Sequence, residues 1–292
     1  MRSVLVVGLG EIGSTVYSVL NESGKFQLYG IDVDKNKMAD LQATEPTSTK
    51  IDVLQVCIPV VDQQKFLRIT QNYLKKHLPD LTIINSTVPI GTTMALYKLC
   101  GGQIAHSPCR GVHKNKEYMI KEFRRWAKFV GGATPEAGRA AAEHFALAGL
   151  KTIVLANCTD TEFAKLFETT YRTWMIVFFQ KMARLARKYN SIDPSLKIEF
   201  DQAVEFIEDT HQQRHDRPVM FPDAIGGHCL LPNSKLMLSE FEPEMLQMIL
   251  KSNTQTIEEL KNPTVASETK KVAQRVSKYE KIQDKNVMGD SC

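Results

Sequence analysis

Two segments near opposite ends of the chain contain residues whose types and spacing could do chemistry. Gly8-Leu9-Gly10-Glu11-Ile12-Gly13 follows an apolar run at the N-terminus, and Gly226-Gly227 stands just before Cys229. Glycine lets a backbone approach a ligand closely, and a cysteine held at such a place can attack a bound carbonyl. The alternative for Cys229 is a buried structural cysteine. Together, the two segments predict a thiol-assisted dehydrogenase.

The three N-terminal glycines have the spacing of a dinucleotide-binding turn. Gly8 permits a tight turn, Gly10 lets the backbone approach a pyrophosphate, and Gly13 allows the next helix to pack on its strand. The start of that helix, which includes Glu11 and Ile12, offers N–H groups and a positive dipole end to the phosphates. The alternative is an ordinary glycine turn without a ligand.

Asp32 ends the second predicted strand, at the position where dinucleotide-binding folds place an acid. A carboxylate there bonds both ribose hydroxyls of NAD and repels the 2′-phosphate of NADP. The sequence therefore predicts NAD as the cofactor. The alternative for Asp32 is an aspartate that caps a turn.

Length and composition exclude several classes of protein. The 292 residues suffice for two domains, and the 43% hydrophobic and 24% charged residues are those of a soluble globular protein. A net charge of +4 permits an anionic ligand without indicating nucleic-acid binding. No stretch reaches the ~18 unbroken apolar residues of a membrane span, and no signal peptide is expected. We therefore expect a cytoplasmic protein with neither a membrane nor a nucleic-acid partner.

The metal-binding and disulfide signals are weak. The six cysteines include no CxxC pair, so we expect neither a zinc site nor a disulfide framework, and a reducing cytoplasm would keep Cys229 reduced. His211 and His215 have the i, i+4 spacing of helical metal ligands, but the neighbouring glutamines and Pro218 favour a loop. Without a third ligand, no metal is expected.

The first half of the chain alternates between strand and helix patterns. Short links between them predict an α/β fold with a doubly wound parallel sheet, and we assign residues 1–156 to an NAD-binding Rossmann domain. The predicted strands are 3–7, 26–31, 52–57, 81–85, 103–105, 127–130 and 151–155, and the predicted helices are 12–20, 63–78, 92–99 and 136–148.

The second half is predicted to be mainly helical. Thr159 and Glu162 form a plausible capping box before a long helix that ends near Tyr189. Further helices are expected at 197–210 and 243–260, which makes 157–262 a central domain. Residues 263–292 follow it, with a C-terminal helix at 268–282 and a loose tail at 284–292. These helices carry more apolar surface than a small domain covers, so we expect a homodimer. The predicted apolar face of the long helix comprises Phe163, Leu166, Phe167, Trp174, Val177, Phe178, Met182 and Leu185.

An ordered set of motifs resembles the UDP-glucose/GDP-mannose dehydrogenase family, and most of all its UDP-N-acetylhexosamine branch. The resemblance covers most of residues 1 to about 260. The matching segments are Gly8–Gly13, Cys57-Ile58-Pro59-Val60, Ser86-Thr87-Val88-Pro89-Ile90-Gly91-Thr92-Thr93, Ser107-Pro108, Val130-Gly131-Gly132, Glu162–Arg172 and Gly226-Gly227-His228-Cys229-Leu230-Leu231-Pro232.

The resemblance implies a two-step, NAD-dependent oxidation of a nucleotide-sugar alcohol to a carboxylate. Cys229 would capture the intermediate aldehyde, and Lys165 would stabilise the oxyanion. Thr87 would position water near the nicotinamide, and Pro59 and Thr87 would contact the cofactor. The alternatives are a solvated helix lysine at Lys165 and a strand-end threonine at Thr87. His228 would act as a base or as loop scaffolding.

Departures from the family pattern affect the second half of this chemistry. Cys109 stands where the family has the glutamate that activates water, and it is either a reactive thiol or a buried filler. Thr169 replaces an asparagine and Asn233 an aspartate. The loop between Asp32 and Asp52 is shorter than usual, and the match does not extend to the family's C-terminal domain. The alternatives to an NAD-dependent nucleotide-sugar oxidoreductase are therefore a non-catalytic or regulatory nucleotide-binding protein and a one-step small-alcohol dehydrogenase of the 6-phosphogluconate-dehydrogenase-like group.

Overall fold

The computed structural model describes residues 1–111, 115–193, 195–227 and 229–289, with side chains as far as Ser277. The chain divides into two compact units, Met1–Leu166 and Phe167–Cys292. The boundary falls within a single long helix, so the first turns of that helix pack with the first unit. Among the described residues, no helix is long and apolar enough to cross a membrane.

The first unit is built on a seven-stranded sheet, which confirms the predicted α/β fold class. The strand order is β2-β1-β3-β4-β5-β6-β7. The strands β1 to β5 are parallel, but β6 runs antiparallel to β5, and β7 is parallel to β6. The sheet is therefore mostly parallel. The direction of β6 departs from the predicted parallel arrangement, because an apolar run indicates a buried strand without indicating its direction. The strands are β1 (Arg2–Val7), β2 (Phe26–Ile31), β3 (Val53–Val56), β4 (Leu81–Ile84), β5 (Gln103–His106), β6 (Lys128–Gly132) and β7 (Thr152–Val154).

Seven helices begin among the described residues of this unit, and the apolar pattern did not predict two of them. The helices are α1 (Glu11–Glu22), α2 (Lys35–Asp40), α3 (Gln63–His77), α4 (Thr92–Cys100), α5 (Lys116–Arg125), α6 (Pro135–Leu147) and α7 (Cys158–Ile192). The unpredicted helices are α2, which is short and buries only Met38, and α5, which is mostly charged. Their caps were the available signal: Asp34 accepts a hydrogen bond from the Asn36 amide, and Asn115 accepts one from the Tyr118 amide.

Two apolar layers lie on opposite faces of the sheet. Alternate residues of β1 enter opposite layers, with Val4 and Val6 in one and Leu5 and Val7 in the other. Since successive strand side chains point to opposite faces, a continuous apolar strand must be covered on both sides. Helices therefore pack on each face, and the connecting loops remain at the strand ends.

The second unit is helical and contains three corrections to the predicted elements. Besides most of α7 it contains α8 (Phe200–Arg214), α9 (Leu230–Leu238), α10 (Pro243–Glu259) and α11 (Pro263–Gly289). First, α11 begins at Pro263, because proline fits the first turn of a helix, and it continues through residues predicted as a tail. Second, His211 lies in α8 rather than in a loop, and His215 caps that helix. Third, α9 starts directly after Cys229 and is a helix that the sequence pattern did not predict.

One face of α7 is apolar yet exposed, which corrects the predicted core of this helix. Val177 is buried, but Phe178 is 53% exposed and Leu185 is 43% exposed. Phe167, Tyr171 and Tyr189 are also exposed, and the five side chains lie four, seven, seven and four residues apart along the helix, which places them on one face. The residues predicted as a single apolar face of α7 therefore belong to two faces, one buried and one exposed. The name "α7 stripe" is used below for Phe167, Tyr171, Phe178, Leu185 and Tyr189.

A charge-assisted network joins α7 to α10 inside the second unit. The Arg184 Nε donates to both carboxylate oxygens of Glu259 at 3.0 Å, and Nη1 donates to the Ser252 hydroxyl at 2.9 Å. The Ser252 hydroxyl in turn donates to Gln180 Oε1 at 2.8 Å. This bifurcated, charge-assisted hydrogen bond and the bonds through Ser252 set the register of α7 against α10.

Glu208 in α8 makes the stability of the protein depend on pH. It is 4% exposed, and its Oε2 has no hydrogen-bond partner among the described residues. Burial raises the pKa of Glu208 to about 7; Arg275 opposes this shift and Glu205 adds to it. The folded state therefore favours protonated Glu208, and stability falls as the pH rises from the ordinary glutamate pKa of about 4.3 towards 7.

We expect Glu208→Gln to match the native protein near pH 4.5 and to exceed its stability at pH 8 by about 1–2 kcal/mol. The melting temperature should rise by roughly 2–6 °C at the higher pH. Thermal unfolding measured across this pH range checks the prediction. Asp209→Asn is the control, because Asp209 is an exposed acid next to Glu208 on the same helix. A stability difference independent of pH would contradict the assignment.

Candidate active site

The glycine turn after β1 is too tight for side chains at two of its three glycines. Gly8 has φ +84°, and a Cβ there would lie 2.9 Å from the Cys57 carbonyl. A Cβ on Gly13 would lie 1.7 Å from the Gly8 oxygen, so α1 packs directly on the turn. Gly10 has open space where its Cβ would be, and it caps α1 without a side-chain hydrogen bond. The backbone of the turn is therefore accessible to a ligand at Gly10.

Asp32 lies beside this turn, and its carboxylate is buried. Its Oδ2 accepts a hydrogen bond from the Leu9 amide at 2.6 Å, and its Oδ1 accepts one from the Asp34 amide at 2.8 Å. The Lys37 amine lies 3.9 Å from Oδ1. Asp32 thus holds the turn and the end of β2 together. Each carboxylate oxygen has two acceptor sites, so the same group keeps capacity for ribose hydroxyls.

The first turn of α1 and the loops after β3 and β4 contain the other predicted cofactor residues. Glu11 is exposed, and Ile12 packs partly against the core of the unit. Pro59 is exposed after β3, and Thr87 is half-buried after β4. The Ser86 hydroxyl donates to the Ile58 carbonyl at 2.6 Å and ties these two loops together. In an open α/β sheet, ligands bind outside the carboxyl ends of the strands where the strand order reverses, which here is between β1 and β3.

His106, at the end of β5, extends this edge towards α7. Its Nε2 lies 3.1 Å from the Ser86 carbonyl, and its Nδ1 lies 2.8 Å from the Thr161 hydroxyl. A carbonyl only accepts, so Nε2 is the protonated nitrogen. Burial lowers the pKa of His106 to about 3, and the imidazole is therefore neutral at physiological pH.

Glu162 corrects the predicted capping box. Its carboxylate accepts hydrogen bonds from the Gly91 amide at 2.6 Å and the Thr93 amide at 2.8 Å, at the start of α4. Gly91 caps α4 without a side chain, so these amides need an acceptor from elsewhere. At the start of α7, the Thr159 hydroxyl donates to Asn157 Oδ1, which also accepts from the Asp160 amide at 3.0 Å. Asn157 therefore caps this helix. Burial raises the pKa of Glu162, and the hydrogen bonds to Gly91 and Thr93 oppose the shift.

A buried lysine that the sequence analysis did not identify lies near the predicted Lys165. Lys128 starts β6 and donates to the carbonyls of Ser107 at 3.0 Å and Pro108 at 3.3 Å. Burial lowers the pKa of Lys128, and the charge of half-buried Lys165 lowers it further. Cys109 is 4% exposed, as expected of a buried filler. The sequence feature that could have indicated Lys128 is its position as the first residue of a strand that is otherwise apolar or glycine and mostly buried.

In the second unit, the loop before Cys229 is anchored at two points. Gln180 Nε2 donates to the Asp223 carbonyl at 2.7 Å, and the Ile225 amide donates to Asn253 Oδ1 at 2.7 Å. Gly227 has φ +77°, a conformation that favours glycine. The two hydrogen bonds fix the backbone of the loop at Asp223 and Ile225, and the positive φ explains the glycine at position 227.

Cys229 is the N-cap residue of α9 and is half-buried. Its carbonyl accepts from the Asn233 amide at 2.9 Å, and both Asn233 and Thr169 are buried. The partial positive charge at a helix N-terminus stabilises an anion such as a thiolate. His228 lies outside the described residues. Among the described residues, no group of three or more potential ligands is arranged to hold a metal ion.

The structure assigns the predicted residues to different units. Lys165 and all of the predicted cofactor residues belong to the first unit, whereas Cys229, Thr169 and Asn233 belong to the second. The first unit contains the complete dinucleotide turn together with its acid.

Comparison with known proteins agrees with the predicted resemblance. No family model matches the chain. The chain is 25% identical over 272 residues to the UDP-N-acetyl-D-mannosamine dehydrogenase of Methanocaldococcus jannaschii, a match that covers 78% of this chain and 60% of that protein. The chain thus spans about 60% of the length of this curated relative.

Two solved structures show the same fold. The UDP-D-ManNAc dehydrogenase of Pyrococcus horikoshii superposes with a TM-score of 0.70 at 21% identity, covering 87% of this chain and 68% of that one. The 3-hydroxyisobutyrate dehydrogenase of Mycobacterium tuberculosis superposes with a TM-score of 0.58 at 15% identity, covering 95% and 94%. The chain is thus related to the UDP-N-acetyl-D-mannosamine dehydrogenases, which confirms the resemblance to the UDP-glucose/GDP-mannose dehydrogenase family that its motifs predict.

Proposed function

We propose that the protein is an NAD-dependent oxidoreductase that oxidises an alcohol group of a nucleotide sugar. The observation that carries this proposal is the glycine turn with Asp32 buried beside it, in a chain related to UDP-N-acetyl-D-mannosamine dehydrogenases. An exposed backbone at a helix N-terminus suits a pyrophosphate, and an adjacent carboxylate suits a ribose.

The residues of the first unit fit NAD. The amides at the start of α1 would bind the pyrophosphate, Asp32 would accept from the ribose hydroxyls, and Pro59 and Thr87 would border the cofactor. Gly10 supports this assignment because open space lies over its Cα. Bound NAD would supply the hydride acceptor.

The thiol of Cys229 is proposed as the nucleophile. Its sulfur would attack the carbonyl carbon of the aldehyde formed by the first oxidation, and the carbonyl oxygen would become an oxyanion. Lys165 would stabilise that oxyanion. The position of Cys229 at the start of α9 supports this role, because the helix dipole favours the thiolate.

The experiment that tests the function is a screen for NADH formation. The protein would be incubated with NAD and either UDP-N-acetyl-D-mannosamine, UDP-N-acetylglucosamine or UDP-glucose, and NADH would be counted per substrate consumed. Two NADH per substrate indicate both oxidations, whether the acid is released or stays on Cys229 as an acyl-enzyme, and one indicates that the reaction stops at the aldehyde or its thiohemiacetal. Absence of NADH with every UDP-sugar would refute the proposal.

A one-step dehydrogenase acting on a small hydroxy acid is the second candidate. The similarity to 3-hydroxyisobutyrate dehydrogenase favours it, because that fold match covers nearly the whole of both chains. Small hydroxy acids therefore belong in the same screen. NAD binding without NADH formation from any substrate would favour the non-catalytic alternative.

NAD should bind at least roughly tenfold more tightly than NADP, because like charges brought together cost several kcal/mol. Asp32→Asn should reduce this preference, since the amide keeps an acceptor for the Leu9 amide but loses the charge. Calorimetric titration with both cofactors measures the ratio. Asp34→Asn is the control, because asparagine caps α2 as well as aspartate does. Tighter NADP binding by the native protein would contradict the assignment.

We also propose that the protein forms a homodimer through the α7 stripe. The five exposed apolar side chains of this stripe lie on one helix at coiled-coil-like spacing. Exposed apolar patches of this kind mark interaction sites, and a twofold dimer covers the same patch on both copies.

Light scattering at micromolar concentration should give twice the chain mass of 32.9 kDa. Phe178→Glu should shift the protein towards the monomer, because it introduces a charge on the apolar stripe. Arg172→Glu is the control, since this exposed residue is not three, four or seven positions from any member of the stripe. A native protein that remains monomeric would refute the dimer.

A further inference from the structure

Cys109 and Lys128 form a buried pair that the proposed reaction does not use. The Lys128 Nζ lies 3.9 Å from the Cys109 Sγ, in donor contact with the sulfur. The carbonyls of Ser107 and Pro108 accept from the same amine and hold it under the loop that follows β5. Both members of the pair are 4% exposed. The amine is therefore held beside one particular sulfur.

The surroundings of the pair favour chemistry between its two members. The amine lies 4.7 Å from the ring centroid of Phe123 and 5.0 Å from that of Phe145. Burial lowers the pKa of Lys128, while Cys109 and Cys57 oppose the shift, so its neutral, nucleophilic form is easier to reach than in an exposed lysine. Cysteine sulfur reacts with peroxides to give a sulfenic acid.

We propose that Cys109 and Lys128 are an oxidative cross-linking site that forms a sulfur–nitrogen bond after reaction with a hydroperoxide. The thiol first attacks the peroxide, whose O–O bond breaks, giving a sulfenic acid and an alcohol, or water from hydrogen peroxide. The Lys128 nitrogen then attacks the sulfur, the S–O bond breaks, and water leaves with a proton from the amine. Sulfur loses two electrons in total and the peroxide gains them. Sulfenic acids are known to condense with nitrogen in this manner.

A disulfide between Cys109 and Cys57 is the competing product. Cys57 directly follows β3 and Cys109 follows β5, with β4 between these strands. Both cysteines belong to the same core cluster, and Cys109 and Lys128 both interact electrostatically with Cys57. The donor contact of the Lys128 amine with the Cys109 sulfur at 3.9 Å favours Lys128 as the partner.

The test is mass spectrometry of the full chain after treatment with hydrogen peroxide. We expect a species lighter by two hydrogen atoms, a cross-linked peptide that joins residues 109 and 128, and reversal by a thiol reductant. Cys57→Ser should retain this species. Cys109→Ser should lose it, and Lys128→Arg should instead accumulate oxygen adducts on Cys109, because arginine keeps the charge but lacks a nucleophilic amine.

Three results would overturn the proposal. The first is a cross-link of Cys109 to Cys57, which Cys57→Ser would abolish. The second is persistence of the lighter species in Lys128→Arg. The third is a native protein in which Cys109 gains only oxygen or does not react. Peptide mapping of the native chain decides the matter even if a Lys128 variant does not fold.

Discussion

Cys229→Ala is expected to lower NADH formation from the aldehyde about 10³-fold or more while leaving NAD binding unchanged. Removal of a covalent nucleophile abolishes the path through its intermediate, and such losses reach on the order of 10⁶-fold in well-studied enzymes. NAD binding should persist because the proposed cofactor residues belong to the first unit and Cys229 to the second. Coupled assays of NADH and carboxylate, with calorimetry for NAD, measure the two effects.

Cys100→Ser is the matched control for this variant, since Cys100 is also half-buried but ends α4. It should retain native activity. Alkylation of the native protein that spares Cys229, or full activity in Cys229→Ala, would exclude the thiol from the mechanism.

The native enzyme is expected to stall after aldehyde capture. Hydrolysis of a thioester needs an activated water, and a missing general base costs ~10²–10⁴-fold in rate. Cys109 occupies the position of the family's glutamate, and Asn233 cannot act as a base. Intact-mass spectrometry during turnover should therefore detect an acyl group on Cys229, or the product should be the aldehyde. Rapid release of two NADH and a carboxylate would show that another residue supplies the base.

Gly13→Ala is expected to destabilise the first unit and to weaken NAD binding at least tenfold. The new Cβ would lie 1.7 Å from the Gly8 oxygen, so α1 must move away from the turn. Overpacking of this kind costs typically 1–3 kcal/mol, and backbone resists displacement more than a side chain does. Thermal unfolding and calorimetry with NAD measure the two effects.

Gly10→Ala separates stability from binding. No atom lies within 4 Å of the position that a Cβ would take at Gly10, and the φ of −65° suits alanine. This variant should unfold as the native protein does, yet bind NAD more weakly, because the methyl group obstructs the approach of the pyrophosphate. Equal stability of Gly13→Ala and the native protein would refute the packing argument.

The sequence by itself was enough to predict the fold class and the family resemblance. Buried strands are apolar on both faces, and the bounds predicted for β2 match the structure. The glycine spacing indicated a tight turn, and the structure has no room for side chains at Gly8 and Gly13. These features depend on neighbouring residues along the chain, which is why local pattern sufficed.

Only the tertiary structure decided which distant groups meet. The sequence predicted Glu162 as a cap for its own helix. Its carboxylate instead accepts from the amides at the start of α4, where Gly91 has no side chain to cap them. The direction of β6 and the burial of Lys128 beside Cys109 were likewise absent from the pattern. Apolar spacing on α7 could not separate its buried face from the α7 stripe. Hydrogen-bond partners and strand direction depend on residues far apart in the chain, and the order of residues does not specify that proximity directly.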